Sequence, residues 1–273
     1  MGRKPGFSQG HTMKKRFGQN FLHDPHVIDA IVSAIDPQPN DNLVEIGPGQ
    51  GALTGALITH VNAMQVIELD RDLIPYLLAS FSVTNKLSIH QGDALRFDYS
   101  QLYKPGHPLR LVGNLPYNIS TPLLFQLIDH ASHIKDMHFM LQKEVVDRLA
   151  AGVGDEAYGR LGIMIQYHCE VDHLFDVPPE AFNPPPKVTS AIVRLTPRVQ
   201  PVTPAEDVKL LGRVVTEAFN QRRKTLRNAL KNMADADDLE ACGIDAQQRP
   251  ENISLEGYVR LSNHLYRKTA IPS

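Results

Sequence analysis

The segment Glu45-Ile46-Gly47-Pro48-Gly49-Gln50-Gly51 constrains the fold more than any other part of the chain. It follows an apolar run and precedes a helical pattern that begins at Ala52. Glycines permit a tight turn, and a helix that starts directly after them offers unpaired backbone N–H groups. A strand, a glycine-rich turn and a helix in this order are typical of the ligand-binding edge of a doubly wound α/β sheet.

Short apolar runs alternate with helical stretches from about residue 42 to residue 196, which predicts a mainly parallel sheet covered on both faces. The last two strands are joined by a proline-rich link, residues 178–187, which predicts a rigid non-helical connection and an antiparallel end to the sheet. The predicted strands are Leu43–Ile46, Gln65–Leu69, Leu87–Gln91, Leu109–Gly113, Met137–Leu141, Glu170–Val177 and Val188–Leu195, and the predicted helices are Ala52–Val61, Leu73–Phe81, Thr121–Ala131 and Lys143–Ala150.

Strand patterns end after Pro204, and apolar residues then recur at helical spacing. We therefore expect a doubly wound, Rossmann-like α/β domain with antiparallel end strands, followed by a small all-helical domain. The expected divisions are a basic N-terminal segment at 1–24, a catalytic domain at 25–202 and a helical domain at 203–273. The helices expected in the last are Val208–Asn220, Arg222–Met233, Leu239–Cys242 and Leu255–Tyr266.

Charge and composition exclude several classes of protein. The net charge of −2 excludes a uniformly basic nucleic-acid binder but allows a basic patch. No apolar run approaches the ~18 residues of a membrane span, and the basic first 20 residues lack the apolar centre of a secretory signal. The two cysteines are isolated, which favours a reducing compartment and gives no metal-site spacing. We expect a cytoplasmic monomer without a metal, with Cys169 and Cys242 buried as small apolar residues.

Three acidic residues stand at the ends of successive predicted strands: Glu45, Glu68 and Asp93. The glycine spacing differs from the Gly-x-Gly-x-x-Gly of pyrophosphate binders, and Glu45 would repel a pyrophosphate but suits a ligand with an ammonium and a sulfonium. Glu68 can accept both ribose hydroxyls, and Asp93 can accept from an adenine 6-amino group. This ordered set predicts S-adenosylmethionine as the cofactor.

The segment Asn114-Leu115-Pro116-Tyr117 follows the fourth predicted strand, and Pro116 prevents a helix from starting at once. An exocyclic adenine amine is a poor nucleophile because its lone pair is delocalised into the ring. The Asn114 side-chain oxygen and a backbone carbonyl near Leu115 and Pro116 could accept its two N–H bonds and direct the lone pair. Tyr117 offers an aromatic face for the base. An ordinary strand–turn with a capping asparagine would explain the tetrapeptide equally well.

With these motifs the chain resembles the ribosomal RNA adenine dimethyltransferases, most closely those that act on the small subunit. The resemblance is carried by residues 16–22, 44–54, 66–70, 113–120, 141–145, 182–188 and 219–227, which span nearly the whole chain. It implies N6-dimethylation of two adjacent adenines near the 3′ end of small-subunit (16S) ribosomal RNA, in an immature subunit. It also implies cofactor contacts from Asn20, Leu22, Gly47, Glu68, Asp93 and Asn114, and a flipped adenine held between Tyr117 and Phe182.

Two basic segments are candidates for binding RNA phosphates. In a helix beginning at Gln221, the apolar residues would share one face and the cations would gather on the other, with few acidic partners between them. A solvated surface face is the alternative for such a charge run. The candidate RNA-binding residues are Lys14, Lys15 and Arg16 in the first segment and Arg222, Arg223, Lys224, Arg227 and Lys231 in the second.

Three other functions remain as alternatives at this point. A large-subunit ribosomal RNA adenine methyltransferase would share the cofactor loop and the Asn114 segment, but the segment 219–227 and the long helical tail argue against it. A ribosome assembly factor could act mainly by binding. A nicotinamide-dependent dehydrogenase is disfavoured by the glycine spacing.

Overall fold

The computed structural model describes residues 20–221 and 223–270 and has a central seven-stranded sheet with a separate two-stranded one. The strands are β1 (Phe21–Leu22), β2 (Asn42–Ile46), β3 (Met64–Glu68), β4 (Leu87–Gln91), β5 (Leu109–Asn114), β6 (Ile134–Gln142), β7 (Cys169–Val177), β8 (Phe182–Asn183) and β9 (Ser190–Pro197). The helices are α1 (Pro25–Ile35), α2 (Ala52–Leu57), α3 (Ile74–Phe81), α4 (Ser120–Ile128), α5 (Lys143–Ala150), α6 (Arg160–His168), α7 (Val208–Asn220), α8 (Leu226–Ala229), α9 (Ala236–Ala241) and α10 (Leu255–Ala270).

The large sheet has the strand order β4-β3-β2-β5-β6-β9-β7. The strands from β4 to β6 are parallel to one another, whereas β9 is antiparallel to both β6 and β7. After β2, the chain adds β3 and β4 on one side of it and then β5 and β6 on the other side. Open α/β sheets bind ligands at such a switch point, which here lies between β2 and β5. The predicted doubly wound sheet with an antiparallel end is therefore confirmed.

Burial explains why the sheet forms from these runs. All five residues of β2 are buried, and in β5 burial continues from Leu109 to Gly113, as expected for parallel strands covered on both faces. Two apolar clusters, one on each face of the sheet, contain Val44 and Leu111 on one side and Leu43 and Val112 on the other. Cys169 and Cys242 are buried, as predicted.

Gly113 allows β5 to approach β2 unusually closely. A Cβ atom at this position would lie 2.4 Å from the backbone oxygen of Ile46, which no side chain can tolerate without a shift of the backbone. Because Ile46 leads into the glycine-rich turn and Gly113 leads into Asn114, this contact sets the distance between the two loops that follow.

The C-terminal helices form a third apolar cluster together with α6. Ile163 and Tyr167 of α6 pack with Leu211 and Val215 of α7, so the helical region packs against α6 through buried apolar residues. Helix α7 has the predicted bounds, and α10 starts at the predicted Leu255. The domain limits at 24 and 202 stay predictions.

The predicted long helix Arg222–Met233 is wrong. Within the described residues 223–233, only Leu226–Ala229 is helical, a single turn. The N–H of Leu226 donates to the carbonyl of Gln248 at 2.7 Å, and that of Arg227 donates to Ala246 at 3.1 Å. These bonds to a distant loop replace the bonds that a longer helix would make back along its own chain.

Three elements were not predicted: α1, α6 and the β1–β8 pair. Helix α1 begins at Pro25 after Asp24, whose carboxylate accepts from the N–H of His26 at 2.8 Å, a start signal that the sequence does contain. In the small sheet, Leu22 pairs with Phe182 and Phe21 with Asn183. The proline-rich link has no α-helix, as predicted, although Pro179–Ala181 form one 3-10 turn.

Candidate active site

The glycine-rich turn between β2 and α2 places bare backbone beside a cavity at the carboxyl ends of the parallel strands. Gly47 and Gly49 have φ angles of +70° and +56°, which residues with a side chain rarely adopt. At Gly49 a Cβ atom would also lie 3.1 Å from the ring of Phe21. The N–H of Gly47 donates to the carbonyl of Ile67 at 2.9 Å, which fixes the turn against β3.

The cavity has a volume of about 230 Å³. It lies between the glycine-rich turn, the β5–α4 connection and residues 20–22. Ligand contact itself stays a prediction, but the structure brings every residue predicted for the cofactor to this one wall. These residues are Asn20, Leu22, Gly47, Glu68, Asp93 and Asn114.

Several wall residues were missed because they carry no polar group that signals chemistry. Adjacency to an acidic strand end could have identified Ile67 and Leu69, which flank Glu68, and Ala94, which follows Asp93. The missed wall residues are Phe21, Leu53, Ile67, Leu69, Ala94 and Ile119.

Glu68, the last residue of β3, is held by two backbone donors. Its carboxylate accepts from the N–H of Gly49 at 3.2 Å and from the N–H of Asp70 at 2.7 Å. Burial raises the pKa of Glu68, and these N–H bonds oppose the rise. The carboxylate is thus fixed in place, and its two oxygens retain lone pairs for a ligand.

Glu45, near the end of β2, is 2% exposed and accepts from the hydroxyl of Thr54 at 2.5 Å. Burial raises the pKa of Glu45 to about 7; the Thr54 hydrogen bond lowers it and the nearby Glu68 carboxylate raises it further. In residues 20–221 and 223–270, no ion pair involves Glu45 or Glu68. Buried carboxylates in such a wall fit a ligand that brings its own positive charge.

Asp93 lies just beyond the end of β4. Its carboxylate accepts from the N–H of Leu95 at 3.0 Å, and the preceding Gly92 donates to the carbonyl of Glu68 at 3.0 Å. The backbone just before Asp93 is therefore bonded to the backbone of Glu68, at the end of the neighbouring strand.

Asn114 is the last residue of β5, and its side-chain nitrogen donates to the backbone carbonyl of Asn20 at 3.1 Å. A carbonyl oxygen can only accept, so this bond assigns the amide nitrogen to that side and turns Oδ1 away from Asn20. Asn114 lines the cavity, and its amide orientation is thus set by the N-terminal segment.

Tyr117 lies in the turn between β5 and α4 and lines the same cavity. Its hydroxyl lies 3.1 Å from the hydroxyl of Ser190, the first residue of β9. Its backbone carbonyl accepts from the hydroxyl of Ser120 at 3.1 Å. Both the ring and the backbone of Tyr117 are therefore anchored.

Phe182 does not lie in the cavity wall. It is 3% exposed and packs with Leu22 and Ile192 in the apolar cluster behind the site. It pairs across the small sheet with Leu22, a residue that does line the cavity. Its role as a second stacking face stays a prediction, which needs a shift of β1 and β8 when a base enters.

The predicted basic surface is preserved without the predicted helix. Leu226, Ala229 and Leu230 are buried, although Met233 is only partly so. Four of the predicted cations are exposed beside them: Arg223, Lys224, Arg227 and Lys231. The other four candidates, Lys14, Lys15, Arg16 and Arg222, lie outside the described residues.

Neither a metal site nor a membrane helix was found within the ranges 20–221 and 223–270. No group of three or more His, Cys, Asp or Glu side chains there could hold a metal ion. No helix there has the length and apolarity that crossing a membrane requires.

Together, the sheet topology, the acid-walled cavity and the Asn114 segment define a Rossmann-like methyltransferase. The family model of the ribosomal RNA adenine dimethylases matches residues 10–267, and the chain belongs to this family. This membership excludes the dehydrogenase hypothesis.

Two bacterial proteins match this chain over almost its whole length. The chain is 62% identical over 259 residues to the ribosomal RNA small subunit methyltransferase A of Saccharophagus degradans, covering 94% of this chain and 96% of the relative. It is 60% identical over 255 residues to the protein of that name from Pseudomonas aeruginosa, covering 93% and 95%.

Two solved structures share the fold over most of the chain. A dimethyladenosine transferase from Plasmodium falciparum superposes with a TM-score of 0.77 at 27% identity, covering 91% of this chain and 98% of the other. The 23S rRNA methyltransferase ErmE superposes with a TM-score of 0.72 at 25% identity, covering 90% and 100%.

Proposed function

We propose that the protein transfers methyl groups from S-adenosylmethionine to the N6 amines of two adjacent adenines near the 3′ end of 16S ribosomal RNA, within an immature small subunit. The observation that carries the chemistry is the orientation of the Asn114 amide, whose nitrogen is bonded to Asn20 so that Oδ1 is the group left to meet a ligand N–H. An acceptor fixed at the end of β5 is what a weakly nucleophilic amine requires.

The cofactor proposal rests on the fit of the cavity wall. Glu68 and Asp93 would bind the ribose hydroxyls and the adenine amine, while the Gly47 turn admits the amino-acid part close to the backbone. Glu45 supplies negative charge opposite the ammonium and the sulfonium. When bound, S-adenosylmethionine supplies a methyl carbon on a positively charged sulfur, an electrophile that needs no metal.

The residues of the Asn114 segment would position the amine rather than deprotonate it. Oδ1 of Asn114 accepts one N6 hydrogen. The carbonyl of Pro116 already accepts from the N–H of Ile119 at 3.1 Å. The carbonyl of Leu115 is therefore the better acceptor for the second N6 hydrogen. With both hydrogens held, the nitrogen lone pair points at the methyl group. A proton leaves only after the new bond has made the nitrogen acidic, so no strong base is needed.

The choice of the small subunit rests on sequence identity. The named small-subunit relatives are 56–62% identical over more than nine-tenths of their length, whereas the 23S enzyme is 25% identical. Exposed Arg223, Lys224, Arg227 and Lys231 would hold RNA phosphates. The adenine would leave its base stack to reach Asn114, with Tyr117 and a shifted Phe182 on its two faces.

The test is incubation of the protein with labelled S-adenosylmethionine and immature small subunits, followed by mapping of the methylated nucleotides. We expect N6,N6-dimethyladenosine at two adjacent positions near the 3′ end of 16S RNA. Label on isolated large-subunit RNA, with none on small subunits, would overturn the choice of substrate. An Asn114→Ala protein that methylates nothing but fully restores subunit maturation would show that binding is the main role.

A further inference from the structure

Ser190 lies behind Tyr117 at the edge of the sheet where the parallel strands end. It is 1% exposed, and its backbone pairs with Gln142 of β6 on one side and Val177 of β7 on the other. A residue held between two neighbouring strands has little freedom to move, so its hydroxyl is a fixed point next to the cavity.

The Ser190 hydroxyl lies 3.1 Å from the hydroxyl of Tyr117, and either oxygen can be the donor. Tyr117 itself belongs to an irregular turn, which leaves its ring free to rotate about the Cα–Cβ bond unless its far end is held. The bond to Ser190 ties that far end to the rigid sheet. The position of the Tyr117 ring is therefore set before any base enters.

The two methyl transfers differ in how firmly the substrate nitrogen can be held. In each transfer the N6 lone pair bonds to the methyl carbon, the carbon–sulfur bond breaks with its electron pair on sulfur, and one N6 proton passes to water. In the first transfer two N–H bonds can be held, by Oδ1 of Asn114 and the Leu115 carbonyl. In the second only one N–H remains, so stacking must supply a larger share of the positioning.

We propose that Ser190 is a positioning residue that fixes the Tyr117 ring and thereby favours the second methyl transfer over release of N6-monomethyladenosine. This inference rests on the proposed function, because it assumes that Tyr117 stacks on the adenine. It assigns to a buried serine of β9 a part in determining whether the product carries one or two methyl groups.

The experiment compares Ser190→Ala, Tyr117→Phe and the double variant in the full-length protein. Immature small subunits are the substrate, and mass spectrometry of digested RNA measures monomethyl- and dimethyladenosine over time. We expect each single variant to slow the second transfer roughly five-fold relative to the first, the size of one lost net hydrogen bond. The double variant should be no slower than either single one, because both remove the same bond.

Controls separate positioning from folding. Tyr103→Phe removes a phenol hydroxyl that contacts His130 instead, far from the cavity, and should leave the product ratio unchanged. Ser190→Thr keeps a hydroxyl and should restore the ratio. Tyr117→Phe deletes a single oxygen, so it tests the inference even if Ser190→Ala folds poorly.

Two results would overturn the inference alone. One is a wild-type ratio of products in Tyr117→Phe, and the other is a double variant whose effect is the product of the two single effects. If the wild-type protein methylates no adenine, the proposed function fails, and this inference fails with it.

Discussion

The side-chain nitrogen of Asn114 donates a hydrogen bond to the backbone carbonyl of Asn20, across a sequence separation of 94 residues. Asn20 precedes β1, and β1 pairs with β8, which carries Phe182. The segment that would close over the cofactor is thus bonded both to the proposed acceptor of the substrate amine and to the proposed stacking residue. We therefore expect occupancy of the cofactor cavity and the geometry of the base site to be coupled.

Asn114→Asp tests this bond while preserving the shape of the side chain. Aspartate has only acceptor oxygens on its side chain, so the hydrogen bond to the Asn20 carbonyl is lost. The carboxylate oxygens and the carbonyl oxygen, which carry like partial charges, would then face each other. We expect methylation of small subunits to fall by roughly 10²–10³-fold, the usual cost of losing an oriented polar group at a reacting centre. Calorimetric titration should also show weaker binding of S-adenosylhomocysteine.

The control for Asn114→Asp is Asn62→Asp, which makes the same chemical change at an exposed asparagine whose side chain, in the described contacts, bonds only to the side chain of Asn40. Its activity should match the wild type. An Asn114→Asp protein with wild-type activity would show that the bond to Asn20 is not needed to orient the acceptor of the amine.

Glu45 predicts a pH dependence of cofactor binding. Its pKa in the free protein is raised to about 7, chiefly by burial and further by the Glu68 carboxylate. A cationic ligand prefers the ionised form, so affinity should rise as pH increases through about 7 and fall by up to roughly ten-fold per pH unit below it. Titration of S-adenosylhomocysteine, which keeps the ammonium, between pH 5.5 and pH 8.5 (roughly 1.5 units on either side) measures this.

The same residue predicts the opposite trend in stability without ligand. Because the folded protein binds the Glu45 proton more tightly than the unfolded chain, the stability linked to it is present below the ordinary pKa of 4.5 and is lost as pH rises through about 7. Glu45→Gln should remove both trends. A variant that keeps the wild-type pH profile of binding would show that another group titrates.

Much of the sheet domain could be predicted because its signals are local. Strand runs, the glycine-rich turn and acidic residues at strand ends each occupy a few consecutive residues, and parallel topology then collects them at one edge. This is why Glu68, Asp93 and Asn114 meet at one cavity as expected.

Long-range contacts explain what the sequence could not predict. The β1–β8 pair joins two-residue strands about 160 residues apart, too short to show a periodicity. The single turn at Leu226 replaces a predicted longer helix because its N–H bonds to Gln248 rather than to its own preceding turn. The contact of Ser190 with Tyr117, 73 residues away, follows only from strand order.

Gly113→Ala tests the close approach of β5 to β2. The new Cβ atom would lie 2.4 Å from the Ile46 carbonyl oxygen, so the strands must separate where they lead into the cavity. We expect a loss of about 1–3 kcal/mol in the free energy of unfolding, typical of overpacking, and weaker cofactor binding. Urea unfolding and ligand titration measure the two effects.

Gly55→Ala is the matched control, because a Cβ there meets Phe81 at an ordinary 3.7 Å within a helix. It should be neutral or more stable by up to ~1 kcal/mol, since alanine favours helix. Equal stability of the two variants would mean that the β2–β5 contact can relax without cost.

The exposed cations beside α8 predict that the affinity for RNA depends on salt concentration. Each phosphate contact contributes about 0.7–0.9 to the slope of log affinity against log salt concentration. Arg223→Glu combined with Arg227→Glu should therefore weaken binding to small subunits and reduce the slope by roughly 1.4–1.8. Lys209→Glu combined with Arg213→Glu makes the same charge change on the exposed side of α7 and serves as the control. If both pairs lower the slope equally, net charge rather than contact explains the effect, and an unchanged slope for the first pair would remove this surface from the interface.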